Sequence, residues 1–242
     1  MKSYMTGLTL TVLAASLQLG SAAEITGKVK LSGTPRPDIK INFADSTDKF
    51  CGKAHENDPK PATTSHFVVG PNKELANVFV YIKEGARKTP ATGENPLLDQ
   101  NGCLYAPYVV GVVTDQPLRI RNSDPTMHNV HGMPLNNPEF NFAQFVKGQE
   151  NPKVFKNPEV LVRMKCDVHG WMFAYVGVAD HPYFSVTDKE GSFKISNLPA
   201  GTYTIEAFHP KLAKPGAKSQ KITVGDGDKK TVDFELVVPP AP

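Results

Sequence analysis

Seven residues, C-D-V-H-G-W-M from Cys166 to Met172, bring a thiol, an imidazole and a thioether into one short loop. Soft sulfur donors together with imidazole suit copper, and a trigonal set of two His and one Cys with a weak axial Met marks an electron-transfer copper centre. A second imidazole has to come from elsewhere in the chain. T-M-H-N-V-H, Thr126 to His131, offers His128 and His131.

The residues before the loop have to aim it. From Glu159 to Cys166, Val160, Val162, Met164 and Cys166 alternate with Glu159, Arg163 and Lys165, Leu161 being the one apolar residue on the second face. Period-two alternation predicts a half-buried strand, with Cys166 pointing inward at its end. His169 and Met172 then follow in a loop short enough to fold back over it.

C-x-x-H-x-x-M after a strand, with H-N-V-H upstream, resembles the cupredoxins, and among them the amicyanin type of ligand loop. L-R-I-R-N-S-D-P-T-M-H-N-V-H, Leu118 to His131, is similar to that family's strand and first ligand. The likeness covers residues 103 to 178. It implies His128, Cys166 and His169 as strong ligands, Met172 as the weak axial one, and a backbone N–H of Asn129 directed at the ligand sulfur. Gly170-Trp171 stands where amicyanin has Pro-Phe, which leaves the ligands in place and changes the surface around them. Two other readings remain open. Zinc could take a Cys-His₃ set of His128, His131, Cys166 and His169, but would have no use for Met172. Without any metal, these side chains would simply fill a core. In an extended strand His131 falls on the opposite face from His128, which suits a supporting role better than ligation.

The first 23 residues read as an export signal: Lys2, an apolar run near Leu8 to Ala15, and S-A-A before Glu24. The run is too short to span a bilayer, and no other stretch would cross one. Removing the segment takes away Lys2 and no acid, so the net charge falls from +3 to +2. That balance carries no nucleic-acid signature. Export predicts a periplasmic, oxidising compartment in which cysteines pair. With Cys166 as ligand, Cys51 and Cys103 remain for a disulfide; two free buried thiols, or Cys51 beside His55 in a second metal site, are the alternatives.

The chain otherwise reads as all-β, since no segment holds a 3.6-residue period over ten residues. Glu24 to Ser32 and Leu75 to Lys83 are predicted strands. Residues 38 to 73 are polar and rich in Pro, Lys and Asp, and read as a long excursion with His55 and His66 in solvent. Glu84 to Asn101 reads as a linker. From His181 the pattern changes: V-T-D-K-E-G-S-F and L-P-A-G-T-Y mark turns between strands, and resemble the transthyretin-like sandwich of carboxypeptidase regulatory domains. That family's opening G-x-V is missing directly upstream but present at Gly27 to Val29. The expected organisation is therefore a signal peptide at 1–23, a sandwich begun by 24–87 and completed by 181–242, and a cupredoxin-like copper domain at 88–180 set into it. Two sandwiches in tandem is the alternative.

Seven His with no H-x-H pair, and no Ser-His-Asp order, phosphate loop or carboxylate pair, argue against an enzyme. The expected function is electron transfer through type 1 copper, with a redox protein such as a cytochrome or dehydrogenase as partner. The other class is a copper- or zinc-stabilised structural or binding module without redox turnover. His169 is expected to show one ring edge at the surface, with Trp171 in an apolar docking patch and Lys211 to Lys230 steering an acidic partner. His181 and His209, each before a Pro, are expected at the surface.

Overall fold

The computed structural model describes residues 21–43, 49–212 and 216–238, so most of the expected export signal lies outside the described residues. Among the described residues, seventeen strands and one short helix make an all-β fold. In chain order they are β1 Ala23–Ser32, α1 Lys49–Ala54, β2 Phe79–Glu84, β3 Leu97–Gln100, β4 Tyr105–Ala106, β5 Val109–Val113, β6 Pro117–Asn122, β7 His128–Met133, β8 Phe140–Gln144, β9 Lys153–Val154, β10 Glu159–Lys165 and β11 Phe173–Ala179. β12 Phe184–Val186, β13 Ser192–Leu198, β14 Gly201–Phe208, β15 Lys218–Val224, β16 Lys229–Thr231 and β17 Phe234–Val237 complete the chain.

Two sandwiches result. In the first, β13, β1 and β16 run side by side with β17 also on β1, and face a sheet ordered β12-β2-β14-β15. β1 alternates between a buried face, Ile25, Val29 and Leu31, and an exposed one. It pairs antiparallel with β13, Ile25 opposite Ile195, and parallel with β17, Val29 opposite Phe234. Residues 24 to 33 therefore close a sheet with strands that come more than 150 residues later. In the second sandwich β5-β11-β10-β7-β8 faces β4-β3-β6-β9. Its core holds Leu98, Leu118, Ile120, Val130, Val162, Met164, Cys166 and Met172. The same alternation operates in β6, where Leu118 and Ile120 turn inward while Arg119 and Arg121 pair outward with Glu150 and Asp99.

The sandwiches dock through aromatic rings. Gly111 of β5 and Gly177 of β11 are opposite one another in register. A Cβ on Gly177 would come 2.6 Å from the Phe79 ring, and one on Gly111 would come 2.2 Å from the Phe184 ring. The absent side chains leave a flat patch that both rings cover, and burying such a ring contributes about 1.5–3 kcal/mol.

Several sequence expectations need correction. The excursion at 38–73 is not all peripheral: Phe43 and Cys51 are buried in the core of the second sandwich with Cys166 and Met172. His55 is no free loop residue. Its ring stacks on Phe43 at 3.9 Å and its Nε2 lies 2.6 Å from the Gly102 carbonyl oxygen. The expected linker from Glu84 to Asn101 contains β3, which pairs with β6. His181 and His209 are buried rather than superficial. In β10 the alternation slips at Leu161, which has a φ of 61°, where the register with β11 shifts. This bulge buries the Glu159 carboxylate, which accepts N–H bonds from Leu135 and Asn136, and the inward order resumes at Val162, Met164 and Cys166.

Candidate metal centre

Three elements supply the centre. β7 begins at His128, β10 delivers Cys166 just past its end, and the loop to β11 carries His169 and Met172. Two backbone bonds close that loop: Met172 N–H donates to the His169 carbonyl at 2.9 Å and Cys166 N–H to the Met172 carbonyl at 3.2 Å. The loop bends back over the strand end, and all four side chains are buried.

His128, Cys166 and His169 bring one potential ligand atom each to within 4.8 Å of one another. The Nδ1 atoms of His128 and His169 are 3.0 Å apart, and Cys166 Sγ is 3.8 Å from His169 Nδ1. Two ligands of one ion can be no further apart than their two bond lengths combined. Bonds of about 2.0 Å to nitrogen and about 2.3 Å to sulfur set limits of roughly 4.0 and 4.3 Å. Both separations fall inside them. Met172 is packed in the same core cluster as Cys166.

The outer nitrogens fix which way the imidazoles present themselves. His128 Nε2 lies 2.8 Å from Asp124 Oδ2, so the ring donates its proton there and leaves the Nδ1 lone pair facing the centre. Asp124 is itself anchored, accepting backbone N–H bonds from Gly102 and Cys103 at 2.8 Å each. His169 Nε2 lies 3.5 Å from Cys51 Sγ. Cys51 is bonded to Cys103, and a disulfide sulfur can only accept, so a proton on His169 Nε2 can point at it and free Nδ1 for a metal. At 3.0 Å one positive charge must lie between the two Nδ1 atoms, a proton in the metal-free chain or a metal ion in its place. A carboxylate behind a ligating imidazole, as Asp124 stands behind His128, is a usual support of a metal site; His169 has the disulfide sulfur there instead.

The sulfur is prepared as a thiolate. Burial pushes the Cys166 thiol up, but hydrogen bonds with His128 and His169 and the backbone N–H groups of Asn129 and His169 outweigh it and hold its pKa at about 6. The Asn129 N–H reaches Sγ at 3.3 Å. Burial lowers His128, yet Asp124 and Cys166 raise it to about 9. Burial raises Asp124 as well, and the His128, Cys103 and Gly102 bonds bring it below the ordinary carboxylate range.

His131 faces away, as the extended backbone demands. Its Nδ1 is 2.9 Å from Asp167 and its Nε2 2.5 Å from Glu139. Both nitrogens are engaged by carboxylates, which leaves no place for it in a Cys-His₃ zinc set.

The surface expectation at His169 does not hold. The ring is fully buried beneath the disulfide. Trp171 Nε1 donates to the Cys103 carbonyl at 3.0 Å and the ring meets Phe43 edge-on at 5.3 Å. Trp171 is thus part of what covers the centre. The contacts of Asp124 with His128 and of Cys51 with His169 escaped the sequence reading. Asp124, four residues before His128, was detectable as a carboxylate near a ligand; Cys51 was not, because its approach to His169 spans 118 residues.

Comparisons with known proteins give partial likenesses. The purple cupredoxin of Nitrosopumilus maritimus is 18% identical and aligns over 35% of this chain and 100% of its own, with a TM-score of 0.31. An oxidised P96G mutant of amicyanin is 20% identical over 41% of this chain and 97% of its own, at 0.32. The copper-containing nitrite reductase of Thermus scotoductus is 16% identical over 40% of this chain and 25% of its own, at 0.33. A family model described as polysaccharide lyase family 4, domain II, matches residues 161–232, under a third of the chain. Curated protein sequences give no match.

Proposed function

We propose that this chain is an exported type 1 copper protein that carries single electrons between other redox proteins. The observation behind this is the pair of inward Nδ1 atoms 3.0 Å apart beside the Cys166 sulfur, each ring held from behind. His128, Cys166 and His169 would bind the ion strongly and Met172 weakly. Copper in that setting supplies reversible one-electron chemistry. The chain supplies a thiolate kept ionised near neutral pH, two imidazoles braced at their outer nitrogens, and exclusion of water. A ligand set held by buried hydrogen bonds reorganises little between oxidation states, which favours transfer.

The same enclosure speaks against catalysis on a bound substrate, because the ligands lie buried beneath Trp171, Phe43 and the disulfide. The partner class that fits is a redox protein such as a cytochrome or dehydrogenase. Export to the periplasm fits the Cys51–Cys103 disulfide, since such bonds persist in oxidising compartments. No helix among the described residues is long and apolar enough to cross a membrane.

Voltammetry of the copper-loaded protein tests the carrier reading. One reversible one-electron wave per chain, with one copper bound, is the expected result. Bound copper without a reversible wave would reduce the centre to a structural metal site.

A further inference from the structure

Arg163 and Lys211 reach one aromatic ring from different sandwiches. Arg163 stands on β10, opposite Tyr175 of β11 in register, and its guanidinium carbon lies 4.8 Å from the centroid of the Phe173 ring. Lys211 comes from the turn after β14, and its Nζ lies 5.6 Å from the ring centroids of both Phe173 and Tyr175. Tyr108 meets Tyr175 edge-on at 5.5 Å, and its hydroxyl is 3.4 Å from His66 Nδ1. Arg163 is exposed, Phe173, Tyr108 and Lys211 are half-buried, and Tyr175 is buried beneath them.

These two cations lack the counter-charges that their neighbours have. Arg119, Arg121 and Lys165 of the same sandwich pair with Glu150, Asp99 and Asp167, and Lys83 of β2 pairs with Glu206. Among the described residues neither Arg163 nor Lys211 joins an ion pair. Asp38, whose charge reaches Tyr108 and His66, is turned toward the His66 backbone N–H at 2.7 Å and the hydroxyls of Thr63 and Thr64. A ring attracts an exposed cation only weakly, so solvent alone offsets the repulsion between the two charges. An anion brought to this face would meet both.

The uncharged residues of the face narrow the kind of anion. Tyr, Phe and Arg are enriched in protein interfaces, and Tyr and Arg are among the residues that dominate binding energy. The face also adjoins the metal loop: Phe173 directly follows Met172, and Lys165, opposite Phe173 in register, directly precedes Cys166.

We propose that Arg163, Lys211, Phe173, Tyr108 and Tyr175 form a docking face for an acidic patch on another protein, the redox partner of the function proposed above. Opposite charge would steer the encounter, and a small interface suits a brief one. The redox nature of the partner rests on that function. The capture of clustered carboxylates does not, and can be tested in the metal-free chain.

The test titrates metal-free protein with acetylated hexaglutamate, followed by calorimetry and by amide NMR shifts. Wild type is expected to bind, with the largest shifts around Arg163, Phe173 and Lys211, and to bind more weakly as salt is added. Arg163→Gln/Lys211→Gln is expected to bind at least about fivefold more weakly, the loss of two solvent-exposed ion pairs. Lys229→Gln/Lys230→Gln removes the same charge from exposed positions on β16 of the other sandwich and is expected to bind as wild type does. No binding, or equal weakening in the two variants, would overturn the docking face. Inorganic phosphate binding there more tightly than the peptide would overturn it in favour of a small-anion site. Attachment to phosphatidylglycerol vesicles that Arg163→Gln/Lys211→Gln abolishes would overturn it in favour of a membrane surface. Self-association abolished by the same variant would do so in favour of a second copy of the chain. A copper-loaded wild type without a reversible wave would overturn the redox nature of the partner and leave the carboxylate result standing.

Discussion

Asp124→Asn isolates the support behind one ligand. The wild-type carboxylate is buried and accepts from His128 Nε2 and from the Gly102 and Cys103 N–H groups. Asparagine keeps the shape and one acceptor oxygen but loses the charge. One of the three donors then faces an amide NH₂ or a weaker, neutral acceptor. A hydrogen bond to a charged group contributes about 1.5–3 kcal/mol, and losing the partner of a ligating imidazole typically costs 10–100-fold in metal affinity. The comparison belongs above pH 9, because Asp124 and Cys166 raise His128 to about 9 and below that a proton competes for the ring. There, competition with a chelator of known affinity should show the variant binding copper 10–100-fold more weakly. On lowering the pH the wild type should lose affinity from about pH 9 downward. The variant should begin its loss at lower pH, because the carboxylate that raises His128 is gone. Affinity within twofold of wild type, with the same pH dependence, would refute the role given to Asp124.

Other outcomes follow from the same structure. Closing a loop of about 52 residues removes roughly 4 kcal/mol of entropy from the unfolded chain, so the Cys51→Ala/Cys103→Ala variant should be less stable by about 2–5 kcal/mol in urea unfolding. Burial, Lys211 and His66 lower the pKa of His209 to about 3, so the folded chain refuses a proton that the unfolded chain takes up at about 6.5. Its stability contribution is complete above pH 6.5 and is lost as pH falls toward 3, at about 1.4 kcal/mol per pH unit. His209→Gln should flatten that part of the stability profile, and an unchanged slope would contradict it. Met172→Gln should keep copper bound while shifting the reduction potential, since an axial ligand tunes this kind of centre; complete loss of copper would mean that Met172 binds strongly.

The parts legible in the sequence were those governed by local pattern. Alternation exposed the strands, β6 and the end of β10 most clearly, and the C-x-x-H-x-x-M spacing marked a loop able to gather donors. Cysteine count and export pointed to the Cys51–Cys103 bond. What escaped depended on contacts between distant segments. Residues 38–73 are polar in composition, and composition cannot reveal that Phe43 and Cys51 from that stretch are buried in the core. The burial of His169 follows from that cover and not from its own loop. The slip at Leu161 needs only one residue in a left-handed conformation, which no alternation rule anticipates. Proline after His181 and His209 suggested exposed loops, whereas Ile82 and Phe67 enclose those rings from other parts of the chain.

The proposed function stands on Cys166 binding copper as a thiolate beside His128 and His169. A visible absorption spectrum of the Cu(II)-loaded protein, recorded alongside Cys166→Ser, tests it most directly. Intense thiolate-to-copper charge transfer is expected in the wild type and none in a folded Cys166→Ser chain. A colourless copper-loaded wild type, or colour that survives the substitution, would contradict it.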